Sequence, residues 1–452
     1  MKSGHFSLLL AGSLCFAASP ELPAQTYTFG TLVGDPTAVG IDEYGYPIGS
    51  YADGTNTAAL FNTPFAIAVD AAGDLFVADS LNNAVRKATR VGGDWVVTTV
   101  AGGGPSSPGT TDGIGTIARF NIPQGIAADH AGVLYVADTF NYVIRKITPV
   151  GSDWVVSTIA GSPGVSGTND GPGSTARFST PFSVAVDSAT NLYVADYTAN
   201  TIRKLTLEGA NWVVRTIAGA SAEGSSDGTN TQARFKGPGS LAVDDAGKLY
   251  VSDWDNGTIR QVTPVGTNYV VKTIAGKAGE KAYVDGQGSV ARFWAPLGGI
   301  GIDTSGKLYV TDAGMIRKLT PVDTNWHVTT IAGAFGQTGH TDGAGSTARF
   351  YWPLAVQADS DGNLYVADTF NHTLRMGAPS STATPTLRIA QEGNQIVLSW
   401  PLSAADFQLE SGAAVQGAEW TNLASGIVIS GDSFVRTNSM AGEKVFYRLK
   451  SP

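Results

Sequence analysis

The sequence predicts an all-β protein: a ring of six four-stranded sheets followed by a small sandwich of further strands. Three observations lead there. Glycine is abundant, with 56 among 452 residues, while 42% of the chain is apolar and only 15% charged. That composition suits short strands joined by tight turns around a substantial core, and excludes a disordered chain. Apolar and polar residues alternate, with no long stretch of helical period. A short strand ending in aspartate also returns six times, as LFVAD at Asp79, LYVAD at Asp138 and Asp196, LYVSD at Asp253, LYVTD at Asp312 and LYVAD at Asp368, at intervals of 59, 58, 57, 59 and 56 residues. Such a period is the mark of a repeat architecture.

The amino terminus reads as a secretory signal over residues 1–25. Lys2 precedes a mostly apolar run from Phe6 to Ala18, and Pro20, Pro23, Ala24 and Gln25 follow, placing cleavage near Ala24 or Gln25. The run is 13 residues long, whereas a bilayer core needs about 20. No later stretch does better, so no membrane span is expected, and the localisation expected is secreted, periplasmic or cell-surface. The only cysteine, Cys15, lies in this segment. The mature chain would then have no disulfide and would draw its stability from core burial and sheet closure.

Each repeat supplies the strands of one sheet. An upstream aspartate, at Asp70, Asp129, Asp187, Asp244, Asp303 and Asp359, stands nine residues before the first one and closes an apolar run. A turn separates the two. An arginine follows in a third strand, at Arg86, Arg145, Arg203, Arg260, Arg317 and Arg375, and then an outer strand such as WVVSTIAG. Four antiparallel strands that cannot cover their own faces, repeated around a circle, make a β-propeller with six blades. The sixth unit ends without its outer strand, but Tyr27 to Gly34 (YTFGTLVG) matches the outer strand Trp95 to Gly102 (WVVTTVAG). The mature amino terminus is therefore expected to complete the last blade of a propeller spanning residues 26–377, leaving no open edge there.

The loop leading into each blade carries Asp-Gly, at Asp53, Asp112, Asp170, Asp227, Asp285 and Asp342, with a phenylalanine eight residues on and a proline three further. One carboxylate per copy falls short of the six to eight oxygens of a calcium site, so the reading is turn and packing. The second-strand aspartate and the following arginine are expected to form a charge-assisted pair between strands or blades.

These motifs resemble the NHL repeat. Gly362 to Asp368 with Asn371 fits its hairpin, and Ile144, Arg145 and Lys146 fit its third strand, the likeness covering roughly residues 26–376. The resemblance implies a six-bladed propeller, and NHL-like propellers bind RNA, proteins or cell-wall material. A formal net charge of -9 argues against nucleic acid.

Residues that depart from the repeat are the candidates for a site. Trp254, Trp294 and Trp352 belong to single blades, with Asp255 beside the first and Tyr351, Phe370 and His372 nearby in sequence. Aromatic faces with a few polar neighbours suit a sugar, a peptide or a partner's apolar side chain. The function expected is therefore a non-catalytic binding scaffold, recognising an extracellular protein, peptide or glycan on the face that bears the leading loops, as a monomer. The alternative is an extracellular hydrolase or lyase acting on sugars or lactones. No cofactor or metal is expected, because the residues after the motif prolines, Phe65-Ala66, Gln124-Gly125, Phe182-Ser183, Gly239-Ser240, Leu297-Gly298 and Leu354-Ala355, include no acid or histidine.

After Arg375 the repeat stops. Residues 378–385 (APSSTATP) read as a linker, and 386–452 as a small antiparallel sandwich, similar to fibronectin type III in Trp400 and strand number.

Overall fold

The computed structural model describes residues 27–379 apart from 38, 39, 44 and 297, and further on residues 387–392, 395–401, 408–412, 421–423, 427–430, 433–439 and 446–450. The segment read as a secretory signal lies outside the described residues. So does most of the stretch read as a linker, although Ala378 and Pro379 form the end of a strand.

Six sheets follow one another along the chain. In blade one the inner strand Pro64–Val69 pairs with Leu75–Asp79, then Ala84–Val91, then Asp94–Ala101. The inner strands contact one another in sequence around the axis, and the sixth, Pro353–Ala358, returns to the first. Blade six is completed from the other end of the propeller. Tyr27–Val33 pairs antiparallel with Thr373–Pro379, Tyr27 opposite Pro379 and Thr31 opposite Arg375.

Each sheet has five strands where the sequence suggested four. The extra one is a two-residue strand from the leading loop, such as Gly54–Thr55, which lies along the outer strand with Gly54 opposite Val97. The loop therefore runs down the outer edge before crossing to the axis, and it carries the Asp-Gly aspartate with it.

The core lies between the blades. Between the first two it holds Phe76, Val85, Phe120, Ile126, Val136 and Val156, all buried, and each such side chain contributes roughly 1.5–3 kcal/mol on leaving water. The outer-strand aromatic of one blade stands edge-on to the second-strand aromatic of the blade before. Ring centroids are 5.6 Å apart for Phe76–Trp154, 6.1 Å for Tyr135–Trp212, 5.7 Å for Tyr250–Trp326 and, across the closing seam, 6.4 Å for Tyr365–Trp95. Blade five departs from the pattern with a short inner strand, Ile300–Ile302. A Cβ on Gly299 would lie 2.4 Å from the Val356 nitrogen, so glycine lets this strand run backbone to backbone against blade six.

In the carboxy-terminal unit the described strands form two sheets. One joins Arg388–Glu392, Gln395–Pro401, Ser433–Ser439 and Ile427–Ser430; the other joins Thr421–Asn422, Gln408–Gly412 and Phe446–Lys450. Leu398, Trp400 and Leu409 are buried there.

Candidate functional site

The repeated polar residues hold the blades together. Arg86 is fully buried and donates from Nη1 to Asp79 Oδ2 at 2.8 Å and the Leu60 carbonyl at 3.1 Å, and from Nη2 to Asp53 Oδ1 and the Ala52 carbonyl, both at 2.7 Å. Its guanidinium carbon stands 5.3 Å from the centre of the Phe61 ring. Arg145, Arg203, Arg260, Arg317 and Arg375 bind the equivalent two aspartates and stand over the equivalent phenylalanine. Asp79 also accepts from Asn82 Nδ2 and Asn62 N–H, both at 2.8 Å. Burial dominates at this carboxyl and pushes it up to about 6 against the pull of Arg86 and these amides, and the same holds at Asp138, Asp253 and Asp368.

The Asp-Gly aspartates are equally occupied, since Asp53 accepts from Thr99 N–H at 3.1 Å and from its hydroxyl at 2.9 Å. The upstream aspartates close the first turn. Asp129 accepts from Ala131 and Val133 N–H at 2.9 and 3.0 Å and from the Tyr135 hydroxyl at 3.2 Å.

At the end of the axis that bears the leading loops, the turn after the second strand shows which residues are free of such duties. In blades one, two and six its first residue is a hydroxyl that reaches the next blade. Ser80, Thr139 and Thr369 donate to the carbonyls of Pro123, Pro181 and Pro64 at 2.5, 2.9 and 2.9 Å. In blades three and four that position holds Tyr197 and Trp254.

The aromatic rings there join a file. Phe65 and Phe182, from blades one and three, meet edge-on at 5.1 Å; Phe182 and Tyr197 lie 5.3 Å apart, and Tyr197 and Trp254 5.6 Å apart. Phe65 and Leu354 are buried, with Phe182, Trp254 and Trp352 half-buried against them. This aromatic cap closes the mouth of the axis. Beside it lies an axial cavity of about 30 Å³, lined by groups that include Gln124, Gln357, Ser183 and Ser240, space for a water or two. No acid or histidine is among the described residues that line it.

The seven residues singled out from the sequence fall into separate groups. Trp254 and Trp352 enter the cap, and Asp255 stands at its rim. Trp352 takes φ +47 just before Pro353, the conformation that Thr63, Ile122 and Gly237 take before the equivalent prolines of blades one, two and four, so it belongs to the repeat. Trp294 stacks instead on Tyr283, at 5.7 Å and 14° between planes, and Tyr283 on Phe335 at 3.6 Å. Tyr351 meets Phe370 edge-on at 5.4 Å, and Phe370 also touches Tyr46, from the hairpin of Gly40–Ile41 and Pro47–Ile48.

His372 lies off the open face, 2% exposed. Its Nδ1 accepts from Thr63 N–H at 3.0 Å across the blade six to blade one seam, as the side-chain oxygens of Asn83 and Asn200 accept from Ile122 and Gly237 N–H at 2.9 Å. Burial pushes its imidazole down to about 4.

Sequence reasoning passed over Tyr197, Phe65 and Phe182. Tyr197 was detectable, because it replaces the same repeat position as Trp254. The two phenylalanines were read only for the metal ligands they are not.

No family model matches the chain. The chain is 29% identical over 329 residues to NHL repeat-containing protein 2 of Homo sapiens, covering 65% of this chain and 44% of that protein. It spans less than half the length of the relatives it matches. Among solved structures it is similar to a protein of unknown function from Bacteroides thetaiotaomicron, with a TM-score of 0.56 and 20% identity over 78% of this chain and 76% of that one. It is also similar to an auxiliary nutrient binding protein from Bacteroides ovatus, with a TM-score of 0.56 and 17% identity over 78% and 77%. Residues 27–379 thus form an all-β, six-bladed, NHL-like propeller.

Proposed function

We propose that the protein is a non-catalytic recognition propeller, working outside the cytoplasm, that binds a protein, peptide or glycan over the aromatic cap. One observation carries this reading. At two of six equivalent turn positions the hydroxyl that clasps the next blade gives way to a large aromatic side chain, Tyr197 or Trp254, left half-buried over the axis. A residue serving only the blade would keep the clasp, whereas rigid aromatic surface at the centre of a face is what recognition uses. Binding without chemistry is a use that the fold admits, since a protein of this fold is described as an auxiliary nutrient binding protein.

Glycan and peptide arrays probed with wild type, Trp254→Ala and Trp352→Ala test the reading, with thermal unfolding measured alongside. Loss of specific binding with the melting temperature little changed is expected. Unchanged binding with a lowered melting temperature would make the cap an internal core.

A further inference from the structure

The cap ends at a carboxylate, that of Asp255. Asp255 is the middle residue of the single-turn helix Trp254–Asn256. The backbone fixes its place, with Trp254 N–H donating to the Gly237 carbonyl and Asp255 N–H to the Lys236 carbonyl, each at 3.1 Å. Among the described residues the half-buried Asp255 carboxylate has no hydrogen bond and no ion pair. The repeated aspartates of the blades are all engaged, as Asp79, Asp53 and Asp129 show. The neighbouring lysine, Lys236, is tied to Glu223 at 3.2 Å.

Gly237 shows how close this charge stands to the rings. A Cβ there would lie 2.7 Å from Tyr197 Cε2 and 3.2 Å from Asp255 Oδ2, and its φ is +63. Ring edge and carboxylate oxygen therefore converge on one spot, which glycine leaves open. Burial and the charge of Asp255 push the Tyr197 phenol up to about 12, so the tyrosine beside the carboxylate is neutral.

Resting on the cap as the binding surface, we infer that its ligand is a cationic side chain, lysine or arginine, presented by a protein or peptide partner and seated on Tyr197 and Trp254 against Asp255. Aromatic faces carry negative potential and attract a cation, more strongly where water is displaced. An anionic ligand is repelled by rings and carboxylate together. A neutral ligand would cover a half-desolvated carboxylate without compensating it.

Isothermal titration with the tripeptides acetyl-Gly-X-Gly-amide, X being Lys, Arg or Gln, tests the inference. The lysine and arginine peptides are expected to bind at least about tenfold more tightly than the glutamine peptide, and more weakly as salt rises. Asp255→Asn is expected to remove about that factor. Gly237→Ala should do likewise by filling the space without touching a charge, and Trp294→Ala, outside the cap, should change nothing. Melting temperatures of the variants establish that each is folded.

Equal binding of the glutamine peptide, or an unchanged affinity in Asp255→Asn, would overturn the cationic ligand. If neutral oligosaccharides bind and lose binding in Trp254→Ala while the basic peptides do not, the cap stands as a binding surface and the cation falls. If no probe responds to Trp254→Ala, both fall.

Discussion

Thr31 donates its backbone N–H and its hydroxyl to one oxygen of Asp342, 311 residues away, at 3.0 and 3.1 Å. Thr99, Thr158, Thr216, Thr273 and Thr330 give the same two donors to the carboxylates of Asp53, Asp112, Asp170, Asp227 and Asp285 within their own blades. The amino-terminal strand therefore adds to blade six the threonine that anchors the leading-loop aspartate, and through it the Arg375 cluster.

Removing residues 27–33 should leave Asp342 without this donor pair and expose the edge of Thr373–Pro379. The expected outcome is a lowered melting temperature by calorimetry and edge-to-edge association by sedimentation. Thr31→Val, which loses only the hydroxyl, should cost about 1 kcal/mol.

The buried guanidinium is the second test. Arg145→Met strands Asp138 without its charged partner and should cost about 3–5 kcal/mol in denaturant unfolding. Arg215→Ala breaks the exposed pair with Glu208, at 2.5 Å, and should produce no measurable change, because solvent screens such pairs.

His372 gives a dependence on pH with a definite sign. Its folded value, about 4, lies below the ordinary 6.5. The unfolded chain therefore binds the proton first, so the stability this residue contributes is complete above about pH 6.5 and is lost as pH falls toward 4, at no more than roughly 1.4 kcal/mol per unit. The buried aspartates, raised to about 6, act with the opposite sign in that window: the stability from their proton uptake is lost as pH rises through 6. The difference between variants isolates the histidine. His372→Asn keeps an acceptor for Thr63, as Asn83 and Asn200 do elsewhere, and its unfolding free energy should fall less than wild type between pH 6.5 and 4. Parallel curves would contradict the assignment.

The ring was legible in the sequence because its determinants are local and repeated. An aspartate at a fixed offset from an arginine, and an outer strand missing at one end and present at the other, define six blades without any knowledge of distance. The fifth strand was not legible: Gly54 and Thr55 carry no strand pattern and pair only because Asp53 is pinned to Thr99. The cap was half legible. Trp254 and Trp352 announce themselves as departures, but their company does not. Phe65 and Phe182 are 117 positions apart and meet only because the ring brings blades one and three together over the axis. Trp294 was grouped with them as another departure from the repeat and His372 by nearness in sequence, whereas the structure sends one to a stack with Tyr283 and Phe335 and the other into a seam.

The central claim, that the cap exists for recognition and not for packing, is tested most directly by replacing Tyr197 and Trp254 together with threonine, the residue found at this position in blades two and six. Melting temperature and array binding are measured on the same sample. The account predicts that binding disappears while the melting temperature holds or rises, because each threonine hydroxyl gains the clasp to the following blade. A fall of about 2–5 kcal/mol in stability, the usual cost of emptying a core, with binding retained, would contradict it.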